Sequence, residues 1–304
     1  MEKELKIDSV SIKSDALIKE KLWVVIPVVL LIGLLSTLIY NHYADFSVDG
    51  FINGFDENFL VFFAIGVFAQ LVDGTLGMGY GATSTSFLLA YGVPPVVSST
   101  AVHVSEMFTT GASALSHHRF GNINKKLVKH LLIPGVLGSI TGAYLLSDVI
   151  NGDIIKPFIA VYMIILAVVI IKKALKKTIV KKKTKKLSVL AAFGGFMDSV
   201  GGGGWGPIVT STLLGRGRNP RYTIGSVNAA EFAISFASGI TFMLFGGIHG
   251  WQVIIGLIAG GVIAAPIGAY LVNKIKRKPM MVAVGILIIL LSLKTLSKFI
   301  GSIF

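Results

Sequence analysis

The chain has no cysteine, which removes disulfides, thiolate metal clusters and thiol nucleophiles from consideration. Charge is also scarce. Only 14% of residues are charged, against about 25% in an ordinary soluble domain. Acids are the rarer sign, 15 against 28 Lys and Arg, for a net charge of +13. In their place is apolar sequence: 53% hydrophobic residues and a mean hydropathy of +0.78. That balance excludes a soluble globular protein and points to the bilayer.

The apolar residues come in runs. Stretches 23–40, 59–71, 96–116, 127–146, 154–171, 187–197, 224–245, 251–272 and 280–293 are nearly free of charge. Crossing the hydrocarbon takes roughly 20 residues in a helix. The runs are too long and too weakly alternating for barrel strands, so an all-α polytopic membrane protein is expected. Residues 1–22 mix five lysines with five acids. They read as a cytoplasmic tail without a cleavable signal, followed by an extra transmembrane helix at 23–40.

Most of the basic excess sits at Lys172, Lys173, Lys176, Lys177, Lys181, Lys182, Lys183, Lys185 and Lys186. A basic loop between apolar helices is what the positive-inside rule expects. It touches anionic lipid rather than nucleic acid.

The chain repeats itself at an offset of 125 residues. Asp73-Gly74-Thr75-Leu76-Gly77-Met78-Gly79-Tyr80-Gly81 matches Asp198-Ser199-Val200-Gly201-Gly202-Gly203-Gly204-Trp205-Gly206, and 17 of the 51 positions from Asp73 to Ile123 are identical. The expected organisation is a repeat at 59–173, a basic linker at 174–186 and a second repeat at 187–299. Loop charge gives the orientation. Residues 117–129 and the linker are basic, so they lie inside, whereas 41–58 and 147–153 are acidic and lie outside. In the second half the bias reverses: 215–221 is basic where its equivalent, 90–96, carries no charge. Matching sequence with opposite bias implies two inverted-topology repeats. The N-terminus is then cytoplasmic and the C-terminus outside. Each repeat reads as two short helices around the glycine turn, then three longer ones. Re-entrant hairpins and two full crossings both satisfy the parity.

Non-helical backbone at membrane depth is tolerated only in protein or beside a wet cavity. Gly77, Gly79 and Gly81, and their partners Gly202, Gly204 and Gly206, open the backbone to a ligand. Each turn precedes a helix start, with Gly206 expected at an N-cap and Pro207 at the first helical position. Such termini favour anions. Thr85, Thr210 and Ser211 add hydroxyls, unless they bond back to the preceding turn. Tyr80 and Trp205 hold equivalent turn positions and either wall the site or anchor it.

Asp73, Asp198, Glu106 and Glu231 sit inside apolar sequence, where ionisable residues are costly and mark function. No Lys or Arg lies in the predicted spans to pair with them. The aspartates could equally hold the turns by accepting amide hydrogen bonds. As coupling groups, the four would carry protons that arrive with the substrate, since burial disfavours the ionised form. His103, one turn before Glu106, and Asn228, in the matching place before Glu231, can donate to an oxyanion. With no second histidine in the copy, neither a metal nor any cofactor is expected.

With its two Asp-led glycine turns, the breaks at Pro95 and Pro220 and its duplication, the chain resembles the TauE/SafE family, often called sulfite exporters. The resemblance covers most of 59–293 and leaves out the tail and first helix. It implies a plasma-membrane protein that moves sulfite, sulfoacetate or related sulfonates. The residues themselves argue only for a small anionic substrate at amide-rich turns; with the resemblance, the expected function is a proton-linked secondary transporter working by alternating access. An anion channel of the same fold is the alternative, as is a carrier of another small carboxylate or of a cation. An enzyme is not expected, because no nucleophile–base set is present. The oligomeric state has no sequence signature.

Overall fold

A computed structural model describes residues 55–176, 184, 186–247, 249–271 and 276–301. The segments expected as a cytoplasmic tail and as a transmembrane helix at 23–40, and most of the basic linker, lie outside the described residues. All regular structure among the described residues is helical. The elements are α1 Asn58–Leu76, α2 Tyr80–Tyr91, α3 Pro95–Arg119, α4 Lys125–Tyr144, α5 Gly152–Leu175 and α6 Leu187–Gly201. They continue with α7 Ser211–Gly215, α8 Pro220–Phe245, α9 Trp251–Leu271 and α10 Arg277–Gly301. A π-helical turn, Leu145–Val149, extends α4, and another, Gly206–Thr210, leads into α7.

Helix ends recur at the repeat offset. α1 ends at Leu76 and α6 at Gly201, each followed by a left-handed glycine: Gly77 with φ 69° and Gly202 with φ 67°. A left-handed residue at this place satisfies the last carbonyls of a helix, and glycine adopts it at no steric cost. α3 and α8 both begin at a proline, Pro95 and Pro220, where the missing N–H has no intrahelical partner to lose.

Five helical stretches are long and apolar enough to cross a membrane: Asn58–Leu76, Lys125–Val149, Gly152–Leu175, Pro220–Phe245 and Arg277–Gly301. α1 is therefore longer than the short piece expected from its hydropathy. It runs on through Asp73 and Gly74 and stops only at Gly77. Its counterpart α6 remains short, at 15 residues. α3 is more polar because it carries buried side chains: His103 is 0% exposed and Glu106 3%. Apolar side chains on the outside, among them Ile133, Leu137, Ile154 and Phe158, suit contact with lipid tails.

Packing between the halves is reciprocal. α1 lies on α9, and α6, its counterpart, lies on α4, the counterpart of α9. α3 pairs with α8, and α5 with α10. Small residues make the crossings close, as is common where no hydrophobic effect drives association. A Cβ added at Gly138 would stand 2.1 Å from the Ala192 carbonyl, and one at Gly260 would stand 2.2 Å from that of Phe63. The first crossing belongs to α4 and α6, the second to α9 and α1.

Candidate functional site

The two glycine turns meet. A Cβ at Gly203 would lie 2.1 Å from the Ala82 nitrogen, and one at Gly206 would lie 2.9 Å from the Met78 Cβ. Gly81 faces Gly203 and Gly202 just as closely, with the Glu106 Oε1 on the third side. Bare backbone is what allows the two turns to touch.

Asp198 organises the second turn. Its backbone carbonyl accepts from the Gly203 N–H at 3.0 Å. Its Oδ1 accepts from the Gly204 N–H at 2.6 Å and the Trp205 N–H at 2.8 Å. The helix start expected at Gly206 is therefore two residues earlier. The Gly204 carbonyl accepts the first intrahelical bond, from Ile208 at 2.8 Å, and Pro207 stands third in the helix. Proline fits there because the opening N–H groups of a helix lack intrahelical partners anyway. The first turn follows the same plan: Gly79 is the cap of α2, with φ 110°. Asp73 lies against the Tyr80 backbone N–H. Part of the anion-favouring surface at each helix start is thus occupied by the protein's own carboxylates.

The remaining oxygen of Asp198 looks across to α3. Oδ2 is 3.4 Å from His103 Nε2, with both side chains almost fully buried. Neither atom has a hydrogen-bond partner, and neither does the buried Ser99 Oγ. His103 Nδ1 is 2.8 Å from the Ser99 carbonyl. That carbonyl can only accept, so Nδ1 carries the proton, and Nε2 of a neutral ring presents a lone pair toward Asp198. Glu106 completes the cluster: one ligand atom each from His103, Glu106 and Asp198 lie within 4.8 Å of one another. Glu106 Oε2 accepts from the Ser235 hydroxyl at 3.2 Å. Glu231, half-buried on α8, feels the charges of Glu106, Asp73 and Asp198. Asp73, Asp198, Glu106 and Glu231 therefore share one electrostatic neighbourhood, and among the described residues no Lys or Arg pairs with them.

The other predicted groups divide. Thr85 donates across the repeats to the Gly202 carbonyl rather than to its own helix. Its counterpart Thr210 is buried with an unpartnered hydroxyl. Ser211 bonds back to the Pro207 carbonyl and receives the Lys173 ammonium. Lys173, in the basic run after the apolar stretch 154–171, lies within α5, which runs to Leu175, and its ammonium also reaches the Pro207 carbonyl at 3.2 Å. Its long stem lets the charge turn back onto α7. Asn228 donates to Ser113 at 2.7 Å and does not reach the His103 cluster through any hydrogen bond. Tyr80 and Trp205 act as anchors. The Tyr80 hydroxyl bonds Ser105 at 3.0 Å, and Trp205, fully buried, places Nε1 3.4 Å from the Val227 carbonyl.

Two contributors escaped the sequence reading. Tyr162 on α5 sets its hydroxyl 3.5 Å from the Gly203 carbonyl. A Cβ at Gly204 would stand 2.3 Å from that hydroxyl, so a Gly204→Val substitution displaces Tyr162 and disturbs the turn itself. Arg277 donates to the Leu76 carbonyl at 2.7 Å, closing the end of α1. Neither residue sits in a motif. A separate cleft of about 220 Å³, lined by Val96, Thr100, Phe245 and Gly246 among others, opens one helical turn from His103. The Phe242 ring, 5.5 Å from the His103 ring, packs against that histidine.

The family model described as "Sulfite exporter TauE/SafE" matches residues 62–295. A relative named "Probable membrane transporter protein YtnM", from Bacillus subtilis (strain 168), is 43% identical over 250 residues, 79% of this chain and 83% of its own. A second, "Probable membrane transporter protein ORF9" from Sinorhizobium sp, is 28% identical over 109 residues, 36% of this chain and 41% of its own. No solved structure matches.

Proposed function

Because the chain belongs to the sulfite exporter TauE/SafE family, we propose that it is a secondary transporter for a small sulfur oxyanion, such as sulfite, sulfoacetate or a related sulfonate. The observation that carries this reading is the contact between the two glycine turns, Gly81 against Gly203. It brings two helix starts to one buried point. Helix N-termini attract anions, and the Asp198 carboxylate already held by the Gly204 and Trp205 amides is the protein's own example of that chemistry. The substrate takes the neighbouring donors: the Gly81 and Gly206 amides and the unpartnered Thr210 hydroxyl.

Two inverted repeats with their turns at the centre supply alternating access, each half rocking against the other around a fixed site. The reciprocal packing of α1 on α9 and α6 on α4 supports that symmetry. Coupling is to protons. Glu231 shares the second repeat with Asn228, which replaces the histidine, and Asp73 is the first-repeat counterpart of Asp198; a proton carried on these two relieves repulsion as the anion enters. The protein works in the plasma membrane, with its N-terminus cytoplasmic and its C-terminus outside.

The test is flux into proteoliposomes. Saturable sulfite or sulfoacetate movement that accelerates under an imposed pH gradient, and that Thr210→Val slows about tenfold, is the expected result; losing one hydrogen bond to a charged group is worth about 1.5–3 kcal/mol. Flux that does not saturate and ignores pH would replace the carrier with a channel. No anion flux at all would remove the substrate class.

A further inference from the structure

We propose that His103, Glu106 and Asp198 form a site for one divalent first-row transition-metal ion. The sequence argued against a metal because the copy offers no second histidine. The third ligand instead comes from the other repeat, 95 residues further along the chain.

Three observations carry the site. The first is distance. A charge-assisted hydrogen bond between imidazolium and carboxylate closes to about 2.7–2.9 Å. His103 Nε2 and Asp198 Oδ2 stand at 3.4 Å and satisfy no hydrogen bond. Two ligands bound to a tetrahedral ion at about 2.0–2.2 Å are separated by roughly 3.3–3.5 Å. The gap therefore suits a shared ion.

The second is the surrounding shell. A metal-bound histidine characteristically donates its other ring N–H to a carbonyl or carboxylate, and bound carboxylates are themselves hydrogen-bonded. His103 has its Nδ1 on the Ser99 carbonyl. Asp198 has its Oδ1 held by two amides, and Glu106 its Oε2 held by Ser235. His103 and Asp198 thus each keep one atom fixed by the fold and one unpartnered atom facing the other.

The third is charge. With both carboxylates ionised and the imidazole neutral the cluster would carry −2, which a divalent ion balances where no Lys or Arg among the described residues does. A nitrogen donor among the oxygens selects zinc, manganese, iron, cobalt or nickel over sodium, potassium or calcium, which take oxygen alone. The matching position in the other repeat is Asn228, already bonded to Ser113, so one ion per chain is expected. The site borders the glycine turns through the Glu106 Oε1 beside Gly81. If the anion reading above holds, the ion also supplies the positive charge that four carboxylates deny a substrate.

The test is metal binding by the purified full-length protein after chelator stripping, with Co²⁺ as probe. The wild type should retain about one Co²⁺ per chain and show the visible absorption of a tetrahedral centre. His103→Asn should weaken binding by more than about a hundredfold, beyond the 10- to 100-fold expected for a supporting partner. Should that variant not fold, Glu106→Gln is the second reporter, with the same loss expected in monodisperse protein. A wild type that retains no Co²⁺, or variants that bind it equally well, would overturn the proposal. The readout needs no flux. Bound metal without anion transport therefore keeps this site and sinks the substrate class, and the reverse result does the opposite.

Discussion

Around Gly202 the nearest side chains are hydroxyls, Thr85 and Ser99; around Gly77 they are the carbons of Ile224. Ile224 is the counterpart of Ser99 at the repeat offset, as Asn228 is of His103. The end of α1 is closed by the Arg277 guanidinium, whereas the glycines after α6 meet the uncharged Tyr162 hydroxyl. Even the helices that follow differ: α2 is regular from its start, while the second copy opens with a π-turn around Pro207. The backbone plan repeats, while the side chains around the two turns differ. In the site proposed above, both halves would contribute to a single centre.

The sharpest way to break the comparison is at the paired aspartates. Asp198→Ala removes the charged acceptor of two buried amides, each such bond worth about 1.5–3 kcal/mol. Asp73→Ala should cost clearly less, since its described partner is the single Tyr80 amide. Thermal unfolding of both variants in detergent checks the ranking, and equal losses would mean that the turns are equivalent after all.

The anchors come next. Trp205→Ala empties a fully buried position in the core built with Leu131, Val209 and Ile234, at about 3–5 kcal/mol. Tyr80→Phe keeps its ring and loses only the bonds to Ser105 and the Leu257 carbonyl, about 1 kcal/mol. The threonines give the smallest contrast. Thr85→Val should cost about 0.5–1.5 kcal/mol through its lost bond to Gly202. Thr210→Val, whose hydroxyl bonds nothing in the protein, should leave stability unchanged and register only in flux. A destabilised Thr210→Val would mean that the hydroxyl has a structural partner.

The helices and both turns were legible because their signals are local. Apolar runs set the segments, and a left-handed position at Gly77 and Gly202 needs glycine. The helix start at Gly204 was misplaced by two residues because proline reads most naturally as a first helical residue, while the first turn of a helix accepts it at several places. The reach of Lys173 onto α7 was not legible, because hydropathy sees its charge and not the stem that carries it there. The approach of His103 to Asp198 had no local signature. It depends on how α3 meets the turn after α6, and nothing in the spacing of either motif encodes that. Tyr162 was hidden as one aromatic residue in an apolar run.

The reciprocal seating of α1 on α9 and α4 on α6 also constrains how the chain is made. α1 leaves the ribosome about 175 residues before α9 begins, a wait on the order of 10–35 seconds at ordinary elongation rates. During it, Gly66 and the face of α1 around it have no native partner. The first repeat therefore cannot complete its own core in advance. That face of α1 meets its partner only after the second repeat has been made.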